Sequence, residues 1–158
     1  MGPAAPGPWN ADDQRLYARV AEHVAAAVGR GELPAFDAQA PMLMRQLHDL
    51  LMAERAAPDE AHARLAGWLA SACMGGHHLW QDLGVQARPE VSRLMNLAFP
   101  GLFASNTHNL RWKRHLFLRL GQQLGQPELR PPKCDHCGDF EACMGMPAPG
   151  VIATLKRH

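Results

Sequence analysis

Asn10-ADDQRLYARVAEHVAAAVGR-Gly31 is the stretch that decides the fold class. Leu16, Val20, Val24 and Ala27 recur at helical spacing along it, which gathers them on one face. Asn10 stands where an N-cap is needed, with Asp13 three residues on to complement the helix N-terminus. Gly29-Arg30-Gly31 ends the run, as glycine does where a helix must leave its own geometry. The pattern repeats downstream. After a connector from Pro34 to Pro41, a second helix is expected from about Met42 to Ala56, with Leu43, Leu47, Leu50 and Leu51 on its apolar face. Pro58-Asp59-Glu60 opens a third, whose stripe is Leu65, Trp68, Leu69 and Ala72, and Cys73-Met-Gly-Gly76 breaks it. His77 to Gly84 reads as short and irregular. Pro89-Glu90 begins a further helix through Val91, Leu94, Met95 and Ala98, stopped at Pro100. A last long helix is expected to be capped near Asn106 and to run to Gly121.

Composition agrees. The 158 residues include 25 Ala and 20 Leu but only six Val, one Ile and two Thr. Nine β-branched residues cannot furnish an ordinary sheet, so the chain reads as all-α. The three serines (Ser71, Ser92, Ser105) stand in no Gly-x-Ser-x-Gly setting, and no Gly-x-Gly-x-x-Gly or phosphate-loop pattern occurs. Serine hydrolases and nucleotide-binding α/β folds are therefore not expected. A net charge of +1 does not advertise nucleic acid or an anionic membrane. No apolar run approaches the roughly 18–20 residues that span a bilayer. The start, Met1-Gly-Pro-Ala-Ala-Pro-Gly-Pro8, lacks the basic and apolar regions of a secretory signal and reads as a disordered lead-in. The expected organisation is a lead-in over 1–9, one helical domain of five or six helices over 10–126, a cysteine-rich metal-binding segment over 127–147, and a tail over 148–158.

Four cysteines are present, and three crowd into Cys134-Asp-His136-Cys137-Gly-Asp-Phe-Glu-Ala-Cys143, a C-x2-C-x5-C arrangement. Two residues between thiols let both sulfurs converge on one metal or on two irons of one cluster, and Gly138 permits the turn that returns the third. The surrounding segment, with Pro127, Pro131, Pro132, Pro147 and Pro149, has no helical period, so a bound metal would have to order it. Without an export signal, such thiols point to a metal site in a reducing, cytoplasmic setting. Zinc would take four closed ligands, completed by Cys73, His77, His78 or His136. An iron–sulfur cluster would use the three thiolates and leave one corner differently held. A dithiol redox role for Cys134-x-x-Cys137 would need a βαβ setting that the composition argues against.

Cys73-Met-Gly-Gly-His77-His78-Leu-Trp80 places one thiol and two imidazoles in a glycine break. They read either as further metal ligands or as a core thiol beside a helix-capping histidine. On a helical wheel Leu110, Trp112, Leu116, Phe117 and Leu120 fill one arc, and Lys113 falls inside it; Arg111, His115 and Arg119 fall outside. Lys113 is expected either to snorkel to water or to face an anion such as oxomolybdate or a cluster of net negative charge. The remaining histidines (His23, His48, His62, His108, His158) show no convergent spacing and are expected at the surface.

His78-LWQDL-Gly84, Phe99-Pro100, Asn106-Thr107 followed by Arg111-Trp-Lys-Arg114, and the terminal C-x2-C-x5-C together resemble the NifQ family over roughly residues 40–146. These are bacterial nitrogen-fixation proteins that process molybdenum for the nitrogenase iron–molybdenum cofactor. The resemblance implies a carrier rather than an enzyme, holding molybdenum with an iron–sulfur cluster. It implies delivery to the cofactor-assembly scaffold and the nitrogenase iron protein. Trp80, Trp112 and Lys113 would then form the neighbourhood of the bound anion or cluster. One departure stands out. The family pattern is C-x4-C-x2-C-x5-C, and the position of its first cysteine holds Leu129 here. Three thiolates would then bind irons, and the fourth corner would go to Cys73, a histidine or exogenous oxygen. A zinc-stabilised helical interaction module is the alternative.

Overall fold

A computed structural model describes residues 9–133; residues 1–8 and 134–158, with the three clustered cysteines and the tail, lie outside that range. Among the described residues there are seven helices and no strand: α1 Ala11–Gly29, α2 Met42–Glu54, α3 Glu60–Ala72, α4 Leu79–Leu83, α5 Arg88–Ala98, α6 Pro100–Ser105 and α7 Trp112–Leu124. The all-α expectation holds, with more helices than expected.

Helix α1 forms where expected. Asn10 Oδ1 accepts from the Asp13 N–H at 2.8 Å, and Leu16, Tyr17, Val20, Val24 and Ala27 are buried. Trp9, counted with the lead-in on sequence, is itself buried and meets Tyr17 edge-on at 5.8 Å. Asp59 caps α3 in the same way, accepting from the His62 N–H at 2.8 Å. Helix α3 packs on α1 and α2, while α2 also touches α6 and α7. One core results, with Tyr17, Leu47, Leu51, Leu65, Leu69, Leu83, Leu94, Phe99 and Phe117 fully buried.

Three readings along the chain need correction. The stretch 77–84 is not irregular but carries α4, stopped by Gly84 at φ 78. A Cβ at Gly84 would also lie 2.2 Å from the His23 ring, so both dihedral and space demand glycine there. Pro100 does not merely stop a helix. It starts α6 in the first turn, where its missing N–H costs nothing. Asn106 does not cap the last helix, because its side chain is spent on a loop: Oδ1 accepts from the Leu110 N–H at 2.8 Å and Nδ2 donates to the Leu110 carbonyl at 2.9 Å. That closure, with Asn109 at φ 52, delays α7 to Trp112.

Two histidines also depart from expectation. His62 is buried beside its cap, with Nδ1 2.7 Å from Asp59 Oδ1. His115, outside the apolar arc of α7, is buried too, because α7 is covered around more of its circumference than one stripe. Ser105 Oγ donates to the Leu102 carbonyl and lies 2.8 Å from His115 Nε2, so it must accept there and the imidazole proton sits on Nε2. Burial, helped by the nearby Arg119, pushes His115 down to about 4. The ordinary value is about 6.5, so between these limits the unfolded chain binds a proton that the fold refuses. Stability should therefore be complete above pH 6.5 and fall as the pH drops toward 4. His115→Gln should flatten the dependence of melting temperature on pH in that window, and an unaltered slope would exclude His115 as its source.

Candidate functional site

The glycine break after α3 lies against the start of α7, and a buried ion pair holds the two together. Lys113 Nζ donates to the carbonyls of Gly75 (3.0 Å) and His77 and to Asp82 Oδ2 (2.8 Å). Both side chains of the pair are about nine-tenths buried, at 10% and 9% exposure. Asp82 Oδ2 also accepts from the His77 N–H at 3.2 Å, and Oδ1 lies 3.3 Å from His77 Nδ1. Three elements (the 75–78 loop, α4 and α7) thus share one charge pair, and every donor of the ammonium has an acceptor. Lys113 does not snorkel to water; it is held inside the chain by the carboxylate of Asp82.

In front of this pair lies a cavity of about 210 Å³. Leu79, Trp80, Val91 and Trp112 supply apolar wall, and the Gly75–His78 loop forms one side. Arg88 on α5, Arg111 before α7, and the segment Pro131-Pro132-Lys133 complete it. No carboxylate lines it among the described residues. Trp112 is fixed by donating Nε1–H to Ser92 Oγ at 2.9 Å. Arg111 Nη1 lies 3.3 Å from both ring nitrogens of His78. Arg88 Nη2 donates to the carbonyls of Asn109 (3.0 Å) and Leu110 (2.7 Å) and to Asn109 Oδ1 (2.9 Å). Its Nε, by contrast, is buried with no partner. Lys133 adopts φ 62, a left-handed conformation unusual for a side chain of its size.

The cavity gathers His77, His78, Trp80, Trp112 and Lys113 from the sequence reading. Cys73 is not among its lining. It caps α3 from within the core, wholly buried, and burial pushes its thiol up to about 12. Cys134, Cys137, Cys143 and His136 lie outside the described residues, though the cavity wall ends one residue before the first of them. Leu129 packs against the core, its Cβ 3.2 Å from where a Cβ on Gly121 would stand. Sequence reasoning gave no role to Asp82, Arg88, Arg111 or Lys133, and counted Gly75 only in the break after the third helix. Asp82 and Arg111 sat inside the quoted motifs; Arg88 and Lys133 carried no local signal.

Comparison with known proteins converges on one family. The NifQ family model matches residues 3–145. NifQ of Azotobacter vinelandii is 36% identical over 100 residues, which is 63% of this chain and 51% of that protein. A NifQ homolog of Sinorhizobium fredii is 37% identical over 99 residues, covering 63% and 43% respectively. NifQ of Klebsiella pneumoniae is 36% identical over 113 residues, covering 64% and 66%. The match thus spans about half the length of the first two relatives. No solved structure matches the chain.

Proposed function

The chain belongs to the NifQ family, and from that membership we propose that it carries molybdenum for assembly of the nitrogenase iron–molybdenum cofactor. In this reading Cys134, Cys137 and Cys143 hold an iron–sulfur cluster with which molybdenum travels. Thiolates suit iron–sulfur chemistry, while oxidised molybdenum accepts nitrogen and oxygen donors. The chain then handles cargo rather than turning it over. Its partners would be the cofactor-assembly scaffold and the nitrogenase iron protein, and its setting the reducing cytoplasm.

The observation that supports this reading most directly is the placement of the family motifs. Residues of His78-LWQDL-Gly84 and Arg111-Trp-Lys-Arg114 line one cationic cavity, whose wall ends at Lys133 immediately before Cys134. A metal carried as an oxoanion suits a lining that holds Arg88, Arg111 and Lys133 and no carboxylate among the described residues. For the fourth corner, the core position of Cys73 and its elevated thiol favour His78 or exogenous oxygen, since a thiolate is the ligand form.

Anaerobic production with iron and molybdate, followed by metal analysis and electron paramagnetic resonance, tests the reading. Iron and molybdenum are expected. Stoichiometric zinc with neither of them would overturn it in favour of a structural zinc module. Cys143→Ser should abolish the cluster signal, whereas Cys73→Ser should leave it unchanged. A spectrum altered by Cys73→Ser alone would return that thiol to the ligand set.

A further inference from the structure

We propose that the outer face of α7, with Phe103 of α6 beside it, is a docking surface for an acidic partner protein. From Val91 to Pro127 the chain has five Lys or Arg and no Asp or Glu. Three of the five are engaged inside the chain: Arg93 with Asp13, Lys113 with Asp82, and Arg111 against His78. The other two, Arg114 and Arg119, have no ion pair or hydrogen bond with any described residue. Soluble surfaces ordinarily intersperse both signs of charge, so a helix face of one sign is a departure.

Arg114 and Arg119 stand about 7.5 Å apart along the helix axis. Half-buried Leu118 falls between them in sequence and exposed Gln122 follows. The charge of Arg119 reaches the buried His115 one turn earlier and helps hold its ring uncharged. That ring meets Trp112 edge-on at 5.8 Å, and Trp112 carries Phe103 stacked on it at 6.1 Å. Phe103 is nevertheless 36% exposed, one of three large apolar side chains so exposed among the described residues. Two buried rings thus fix Phe103 relative to Arg119. Glu54 of α2 stands over Gly101 at the start of α6, the end away from Ser105 and His115.

Arginine and exposed aromatic side chains are the groups that carry protein–protein binding energy. Each arginine matches a carboxylate through its planar fork, and Phe103 and Leu118 offer the apolar contact that shields such pairs from water. Other polyanions fit less well. Duplex-binding proteins commonly neutralise about 6–10 phosphates, and single strands stack their bases on free ring faces, whereas one face of Phe103 lies on Trp112. Recognition of anionic lipid takes clusters of roughly 4–8 Lys or Arg. Two free arginines fall short of both but suffice for a small acidic epitope. The docking face stands on charge and packing, and does not depend on the cargo.

The full chain would be titrated against a labelled peptide of Glu-Glu-Leu repeats, its Gln-Gln-Leu counterpart, a single-stranded oligonucleotide and phosphatidylglycerol vesicles. Saturable one-to-one binding of the acidic peptide below millimolar concentration is expected, with the other three probes at least tenfold weaker. Arg114→Glu/Arg119→Glu should weaken the acidic peptide at least tenfold and Phe103→Ala severalfold, with helical circular dichroism unchanged. Arg15→Glu, a charge reversal on α1, should bind like the parent. In the unsubstituted chain the amide resonances of α7 should shift on titration. Cys134→Ser/Cys137→Ser/Cys143→Ser should also bind like the parent, which separates docking from the metal. No saturable binding at millimolar acidic peptide, tighter binding of the oligonucleotide or the vesicles, or indifference to Arg114 and Arg119 would each overturn the proposal. So would binding that emerges only in Asp135→Asn/Asp139→Asn/Glu141→Gln, because the chain's own acidic residues would then be the occupant.

Discussion

Lys113→Met should destabilise the fold by about 3–5 kcal/mol, which for a domain of this size is a fall in melting temperature of roughly 10 °C or more. Methionine keeps the length and apolar stem of lysine, so packing is little altered. What it removes is the one lysine or arginine paired with Asp82 among the described residues, and the donor to the Gly75 and His77 carbonyls. The carboxylate would remain nine-tenths buried, holding only the His77 contacts. Breaking a buried pair from one side is far more costly than never having built it, because a desolvated charge is stranded. Asp82→Leu in the same chain should therefore recover part of the loss. Urea unfolding at neutral pH measures both. A single variant within about 0.5 kcal/mol of the parent, the range of an ordinary surface change, would show that this pair does not hold the loop.

Gly75→Ala should lose about 3 kcal/mol, more than the cost of a small-to-large change at a yielding site. A Cβ there would stand 2.5 Å from Asp82 Cγ and Oδ2 and 2.6 Å from Oδ1. An exposed carboxylate would swing aside, but this one is short and tied to both Lys113 and the His77 amide. It cannot retreat without surrendering them. The two substitutions should consequently be strongly non-additive. In the Lys113→Met background the carboxylate is released on one side, and Gly75→Ala should cost much less there than alone. A double-mutant cycle reads the coupling directly. Simple additivity would mean that the alanine strains the backbone instead of displacing the carboxylate.

How much of this was legible depends on the range of the interaction. Local grammar sufficed for α1 and α3, whose Asn10 and Asp59 caps and apolar spacing lie within a few residues. It misled at Asn106, because the same side chain can cap a helix or close a loop, and nothing about Leu110 four residues on gave warning of the closure. Pro100 was read as an ending since a proline both stops one helix and starts the next. The role of Lys113 was out of reach for a different reason. Its partner lies 31 residues away, and nothing on the helical wheel distinguishes a snorkelling lysine from a paired one. Arg88 is similar, an arginine at the start of α5 whose meaning arises only when the 109–110 backbone folds over it. Cys73 was legible as a pair of options, and packing around α3 put the thiol in the core.

The way the chain leaves the core has its own implication. Pro131 and Pro132 have a ring-fixed φ, and Lys133 is held in a left-handed conformation against the Gly76 side of the cavity. The direction in which the chain reaches Lys133 is thus set by covalent geometry as much as by packing, because a prolyl ring holds its φ without any contact. Replacing both prolines by alanine would release that restraint and leave every other side chain of the cavity as it is.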